Sequence, residues 1–152
     1  MRLFPALQLL LIPLLFALLA TRTASGAPAT SLIVINEIDY DQPSTDTAEF
    51  IEIYNGSSAS IDLDPYSLRL VNGHDNGAAI YRTIELPPVS LGAGDYYVVC
   101  GNISNVPNCD LYVEPPALGL IQNGNPDAVA LFNSETLVDT LSYGGASDRF
   151  CT

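Results

Sequence analysis

The sequence predicts an all-β protein, an antiparallel β-sandwich behind an N-terminal signal peptide. Three observations carry this. No long window repeats apolar residues at the i, i+3, i+4 spacing of an amphipathic helix. Short β-branched and aromatic runs recur instead at intervals of roughly 10–16 residues, bounded by Gly, Pro, Asn and Asp. Where alternation is readable, one face is apolar and the other polar, as in an antiparallel sheet with one wet side. The 152 residues suit one domain.

Residues 1–26 read as the signal peptide. Arg2 supplies the positive start, Leu3–Ala20 is apolar apart from Gln8, and Ala24-Ser25-Gly26 offers small residues for cleavage. The competing reading is an uncleaved anchor, for which a run interrupted by Pro5 and Pro13 is short. Residues 27–30 form a short linker, and the sandwich is expected over residues 31–143. Strands are predicted at Ser31–Ile38, Glu49–Asn55, Tyr66–Asn72, Ala79–Leu86, Asp95–Gly101, Ala128–Asn133 and Thr136–Tyr143, with a short extended piece at Asp110–Val113. In the second strand Ile51 and Ile53 share a face opposite Glu52. In the third, Tyr66, Leu68 and Leu70 oppose Arg69. In the fourth, Ile80, Ile84 and Leu86 share a face that Arg82 interrupts. Asn72–Gly77 and Asn133-Ser134-Glu135 are hairpin turns, Gly92–Asp95 opens a strand, and Glu114-Pro115-Pro116 starts a long loop to Asp127. Seven such strands without crossover helices indicate a sandwich.

Three cysteines follow the signal, Cys100, Cys109 and Cys151. Export makes disulfides plausible, and a Cys100–Cys109 bridge closes a loop of about ten residues. Cys151 is left odd, as a free thiol, an intermolecular link or the mark of a truncated chain. The formal charge is −12, from 17 acidic residues and five basic ones, all Arg. Scattered arginines cannot build a nucleic-acid surface, and the acidity repels phosphate backbones.

Several stretches together resemble bacterial exported lamin tail domains. They are IVINEIDYDQPSTDTAEFIEIYN (Ile33–Asn55), YSLRLVNG (Tyr66–Gly73), YRTIELP (Tyr81–Pro87), LGAGDYYVVCG (Leu91–Gly101), NVPNCDL (Asn105–Leu111), LIQNGNPDAVALF (Leu120–Phe132) and LVDTLSY (Leu137–Tyr143). The resemblance implies an immunoglobulin-like sandwich, an exported module found beside nucleases, phosphoesterases or other surface modules, and no catalytic residues. The tail Gly144–Thr152 departs from the family's acidic, Gly-rich continuation.

Glu37, Asp39, Asp41, Asp46 and Glu49 are the candidate Ca²⁺ ligands, since hard carboxylates around a loop suit that ion. The competing reading is a solvated acidic edge that discourages sheet-to-sheet pairing, with Asn36 bracing the loop through backbone bonds. Asp62-Leu63-Asp64-Pro65 reads as a turn rather than a carboxylate pair. His74 is the only His and sits at a hairpin tip without an orienting third group. Gly92-Ala93-Gly94 lacks the third Gly of a phosphate loop. Asn55-Gly56-Ser57 and Asn102-Ile103-Ser104 match the glycosylation sequon. Tyr96, Tyr97 and Tyr143 with Phe132 are the candidate aromatic binding surface, against the alternative that they fill the core.

The reading is a non-enzymatic module, secreted or at the cell surface, that mediates protein or cell-envelope contacts. It has no cofactor, no nucleic-acid partner and no membrane span after cleavage; partner and oligomeric state stay open. The candidate partner loops are Asp39–Glu49, Asn72–Gly77 and Asn123–Asp127, with edge-strand pairing as a second mode. The alternative is the accessory domain of a secreted hydrolase, a nuclease or phosphoesterase, whose catalytic part lies beyond Thr152.

Overall fold

The computed structural model describes residues 32–74, 78–116 and 119–145. The signal peptide, the linker, most of the tail and Cys151 lie outside the described residues. Ten strands follow in order: β1 (Ile33–Asp39), β2 (Phe50–Asn55), β3 (Ile61–Asp62), β4 (Tyr66–Asn72), β5 (Ala79–Glu85), β6 (Ser90–Leu91), β7 (Tyr96–Cys100), β8 (Leu111–Tyr112), β9 (Asp127–Asn133) and β10 (Thr136–Tyr143). Two four-stranded sheets have the orders β1-β2-β7-β8 and β10-β9-β4-β5, and β3 pairs with β6. All pairs are antiparallel except β7 with β8, which is parallel, so the extended piece after Cys109 runs beside β7 rather than against it.

The inner faces follow the alternation in the sequence. Ile33, Ile35, Ile51, Ile53 and Val99 from one sheet meet Leu68, Leu70, Val129 and Leu131 from the other, and Leu120 and Ile121 plug one end. Each such side chain contributes about 1.5–3 kcal/mol by leaving water.

Bulges change the alternation in three places. Between Ile35 and Glu37 the register of β1 shifts, so Ile38 and Tyr40 turn inward after Ile33 and Ile35. A bulge on β5 sets Ile80 opposite Val71 and Arg82 opposite Leu70. The expected shared face of Ile80, Ile84 and Leu86 therefore breaks. Ile80 packs with Val71, Ala78 and Ala128 on the outside, while Tyr81 joins Ile84 and Leu86 toward the core. Arg82 sits half-buried on this edge strand and donates to the Glu114 carbonyl at 2.7 Å.

The third bulge lies between Leu137 and Asp139 on β10, where that edge strand meets β1. Asp139 accepts the Ile35 N–H at 2.8 Å, so a side chain joins the two sheets across their seam. Asn36 donates to the Glu52 carboxylate at 2.7 Å instead of bracing a loop through its backbone. The hairpin from β9 to β10 turns at Ser134, with φ 53°, and Glu135. Arg69 covers that corner, 3.9 Å above the Phe132 ring and 3.1 Å from Glu135.

Candidate functional site

The outer face of the first sheet has two unlike halves. In one, the chain after β7 folds back across the sheet. Cys100 and Cys109 are disulfide-bonded, with Cα atoms 5.7 Å apart, as the sequence predicts. The returning loop places Val106 over Val98 and Cys100, with Ala48 and Phe50 alongside. In the other half no segment among the described residues returns. Tyr54 and Tyr96 lie directly opposite each other on β2 and β7, with ring centroids 4.8 Å apart. Tyr96 is 52% exposed and neighbouring Leu32 51%. Gly56 keeps the neighbourhood tight, since a Cβ there would meet Leu32 and Tyr54 at 3.0 and 3.1 Å.

Of the aromatic residues proposed from sequence, only Tyr96 is on the surface. Tyr97, Phe132 and Tyr143 are buried. Tyr143 lies against Tyr40, ring centroids 4.3 Å apart, and donates to the Gln122 carbonyl at 2.9 Å. Burial, then the nearby Tyr81 and Asp127, push its phenol well above the ordinary tyrosine range. Tyr54 is the residue that sequence reading missed; the signal available was its position outward from Ile53 and directly before the strand's end.

Beside Tyr96 runs a groove of about 470 Å³ between β7 and β6, lined by Val89, Ser90, Asp95, Tyr96, Tyr97 and Asp110. Asp110 accepts the Val98 N–H at 2.8 Å. Burial first, then Asp110, raise the Tyr97 phenol. At the same end Asn55 is fully buried. Its Nδ2 donates to the carbonyls of Ala59, Leu91 and Gly92, and its Oδ1 accepts from Ser57, so the Asn55 sequon is consumed by the fold.

The opposite end holds the acidic segment. Gln42 organises it, donating to Asp39 and accepting from the N–H groups of Thr47 and Ala48. Asp46 accepts the Gln42 N–H at 2.7 Å and Asn123 at 2.6 Å, and these two bonds lower its pKa. Glu49 is only 4% exposed; it accepts the N–H groups of Leu120 at 2.6 Å and Ile121 at 3.1 Å. Burial raises its carboxyl, and those bonds oppose the rise. Gly119, at φ 97°, passes so close that a Cβ would lie 2.8 Å from the Glu49 oxygens. Glu37 and Asp41 stay exposed at the surface. Asp46 and Glu49 thus serve as loop anchors, and among the described residues no three His, Cys, Asp or Glu side chains gather as a metal site.

The three loops named from sequence do meet at this end. Asn123 binds Asp46, Gly73 donates to Asp127 at 3.0 Å, and Asn72 donates to Gln122 at 3.1 Å. They are bound to one another, and residues 75–77 of the hairpin lie outside the described residues. His74 is exposed, and its N–H donates to Asn72. Asp62 accepts the Asp64 N–H at 3.3 Å, closing a turn.

Residues 26–145 match a family model described as Lamin Tail Domain. No curated protein matches the chain.

Proposed function

Because the chain belongs to the lamin tail domain family, a family of non-catalytic immunoglobulin-like modules, we propose that it is an exported, non-enzymatic binding module. It makes its contacts with a protein or cell-envelope partner through the Tyr54–Tyr96 face. The observation that carries this is the bare aromatic pair on a sheet whose other half is covered. Exposed rings of this kind combine large contact area with few rotatable bonds, which suits recognition. Export is supported by the disulfide, which persists in oxidising compartments. It is also compatible with the lack, among the described residues, of a helix long and apolar enough to cross a membrane.

The test is retention of the purified secreted protein on envelope preparations of its source cells, wild type against Tyr96→Ala. Wild type sediments with the envelope and the variant stays in solution at an unchanged melting midpoint. Equal retention overturns the reading. Intact mass of the secreted protein adds a second arm. A species of about 13 kDa, gaining about two mass units on reduction, fits signal cleavage and one internal bridge. A much heavier polypeptide carrying the same peptides would make the sandwich an accessory domain.

A further inference from the structure

The groove beside Tyr96 borders an unfinished strand edge. In β7 alternate residues turn their backbone groups to the same side. Val113 donates to the Cys100 carbonyl and Asp110 to that of Val98, so this row faces β8. Val98 in turn donates its own N–H to the Asp110 carboxylate. β8 reaches only Val99 and Cys100. The next pair in the row, the N–H and C=O of Tyr96, lies past the end of β8 and past Asp110, on the groove side of the strand.

Charge and shape define what fits there. Asp95 and Asp110 line the groove and no basic residue among the described ones does, on a chain of net charge −12. The ring of Tyr96 forms one wall and Val89, 39% exposed, the other margin. Its volume of about 470 Å³ is within the range of ligand pockets.

We propose that the groove takes an extended peptide segment carrying Arg or Lys, which adds as a short strand beside Tyr96. Its backbone pairs with the Tyr96 N–H and C=O, its cationic head sits against Asp95 and Asp110, and its aliphatic stem crosses the Tyr96 ring. This rests on the binding-module reading above and names the partner's chemistry.

The test is fluorescence anisotropy of the full secreted chain with labelled Ac-Val-Arg-Val-Arg-Val-amide. Comparators are the same peptide with Glu for Arg, a version N-methylated on alternate backbone nitrogens, and a neutral oligosaccharide. The expected result is saturable binding of the Arg peptide that weakens with salt and is lost on N-methylation. Asp95→Asn weakens it about threefold, and Tyr96→Ala about fivefold or more. Asp95 is exposed and its carboxylate lies beside Gly92, so the melting midpoint of that variant is measured alongside its affinity. Equal binding of the Glu peptide, indifference to N-methylation, or unchanged affinity in both variants overturns the proposal. Tyr96-dependent binding of the oligosaccharide without binding of the Arg peptide also overturns it, yet leaves the binding-module reading standing. Envelope retention that ignores Tyr96→Ala removes both.

Discussion

Tyr96 and Val98 stand two residues apart on one face of one strand, yet one is 52% exposed and the other 2%. The difference is the loop that returns over Val98 under the Cys100–Cys109 bridge and stops short of Tyr96. The covered half behaves as a second, small core added to a sheet face that a sandwich would ordinarily leave wet. The bare half has the same strands and register but carries an aromatic pair. The chain therefore shields this sheet face where it has a loop to do so, and leaves an aromatic pair in the open where it does not.

The sharpest way to break that contrast is to release the cover. Replacing Cys100 and Cys109 by Ala should cost about 2–4 kcal/mol, read as a lower urea midpoint, and should open Val98 to dye binding. An unchanged midpoint would mean that Val106 holds the loop without the bridge. Next in size is Glu49→Ala, just before β2 at the foot of the covered half. It strands the buried N–H groups of Leu120 and Ile121 and should cost about 2–3 kcal/mol in the same titration.

A smaller effect separates the acid anchors by pH. The Glu49 carboxyl is raised from its usual 4.5, so its proton favours the fold. That contribution is complete below the unfolded value and is lost as pH rises through the folded one. Asp46 is lowered from 3.8 and acts in the opposite sense, stabilising above the unfolded value and losing effect as pH falls through the folded one. In Glu49→Gln the decline of stability above pH 4.5 should flatten, measured by melting midpoints across that window. The smallest effect belongs to the bare half. Tyr96→Ala should change stability by under about 1 kcal/mol, because the ring is half in water; a larger loss would make it structural rather than a contact surface.

The strands were legible because Ile51 with Ile53, and Tyr66 with Leu68 and Leu70, keep strict alternation, and the two sheets bury those faces. β3 and β6 were not legible, since two-residue strands carry no period. Bulges at Asn36 and Tyr81 were also invisible, because an extra residue shows only against its partner strand; hence Ile80 was placed on the wrong face. The Cys100–Cys109 bridge could be read from spacing. The candidate site could not be read in full. Tyr96 and Tyr97 are adjacent and face opposite ways, and which one is outward depends on the register with β2. Glu49 looked like a loop carboxylate because sequence does not show that Leu120 and Ile121 return to it from seventy residues away.

The seam at Asp139 has a mechanical consequence. β1 and β10 are the first and last described strands, they belong to different sheets, and a side-chain bond from Asp139 to Ile35 ties them where a full backbone ladder would otherwise run. A load drawn through the chain on either side of the sandwich therefore reaches this weak join before it reaches the ladders of β2 with β7 or β4 with β9. The module should unzip there under tension, and Asp139→Ala should lower the force of that first step in a single-molecule pulling experiment.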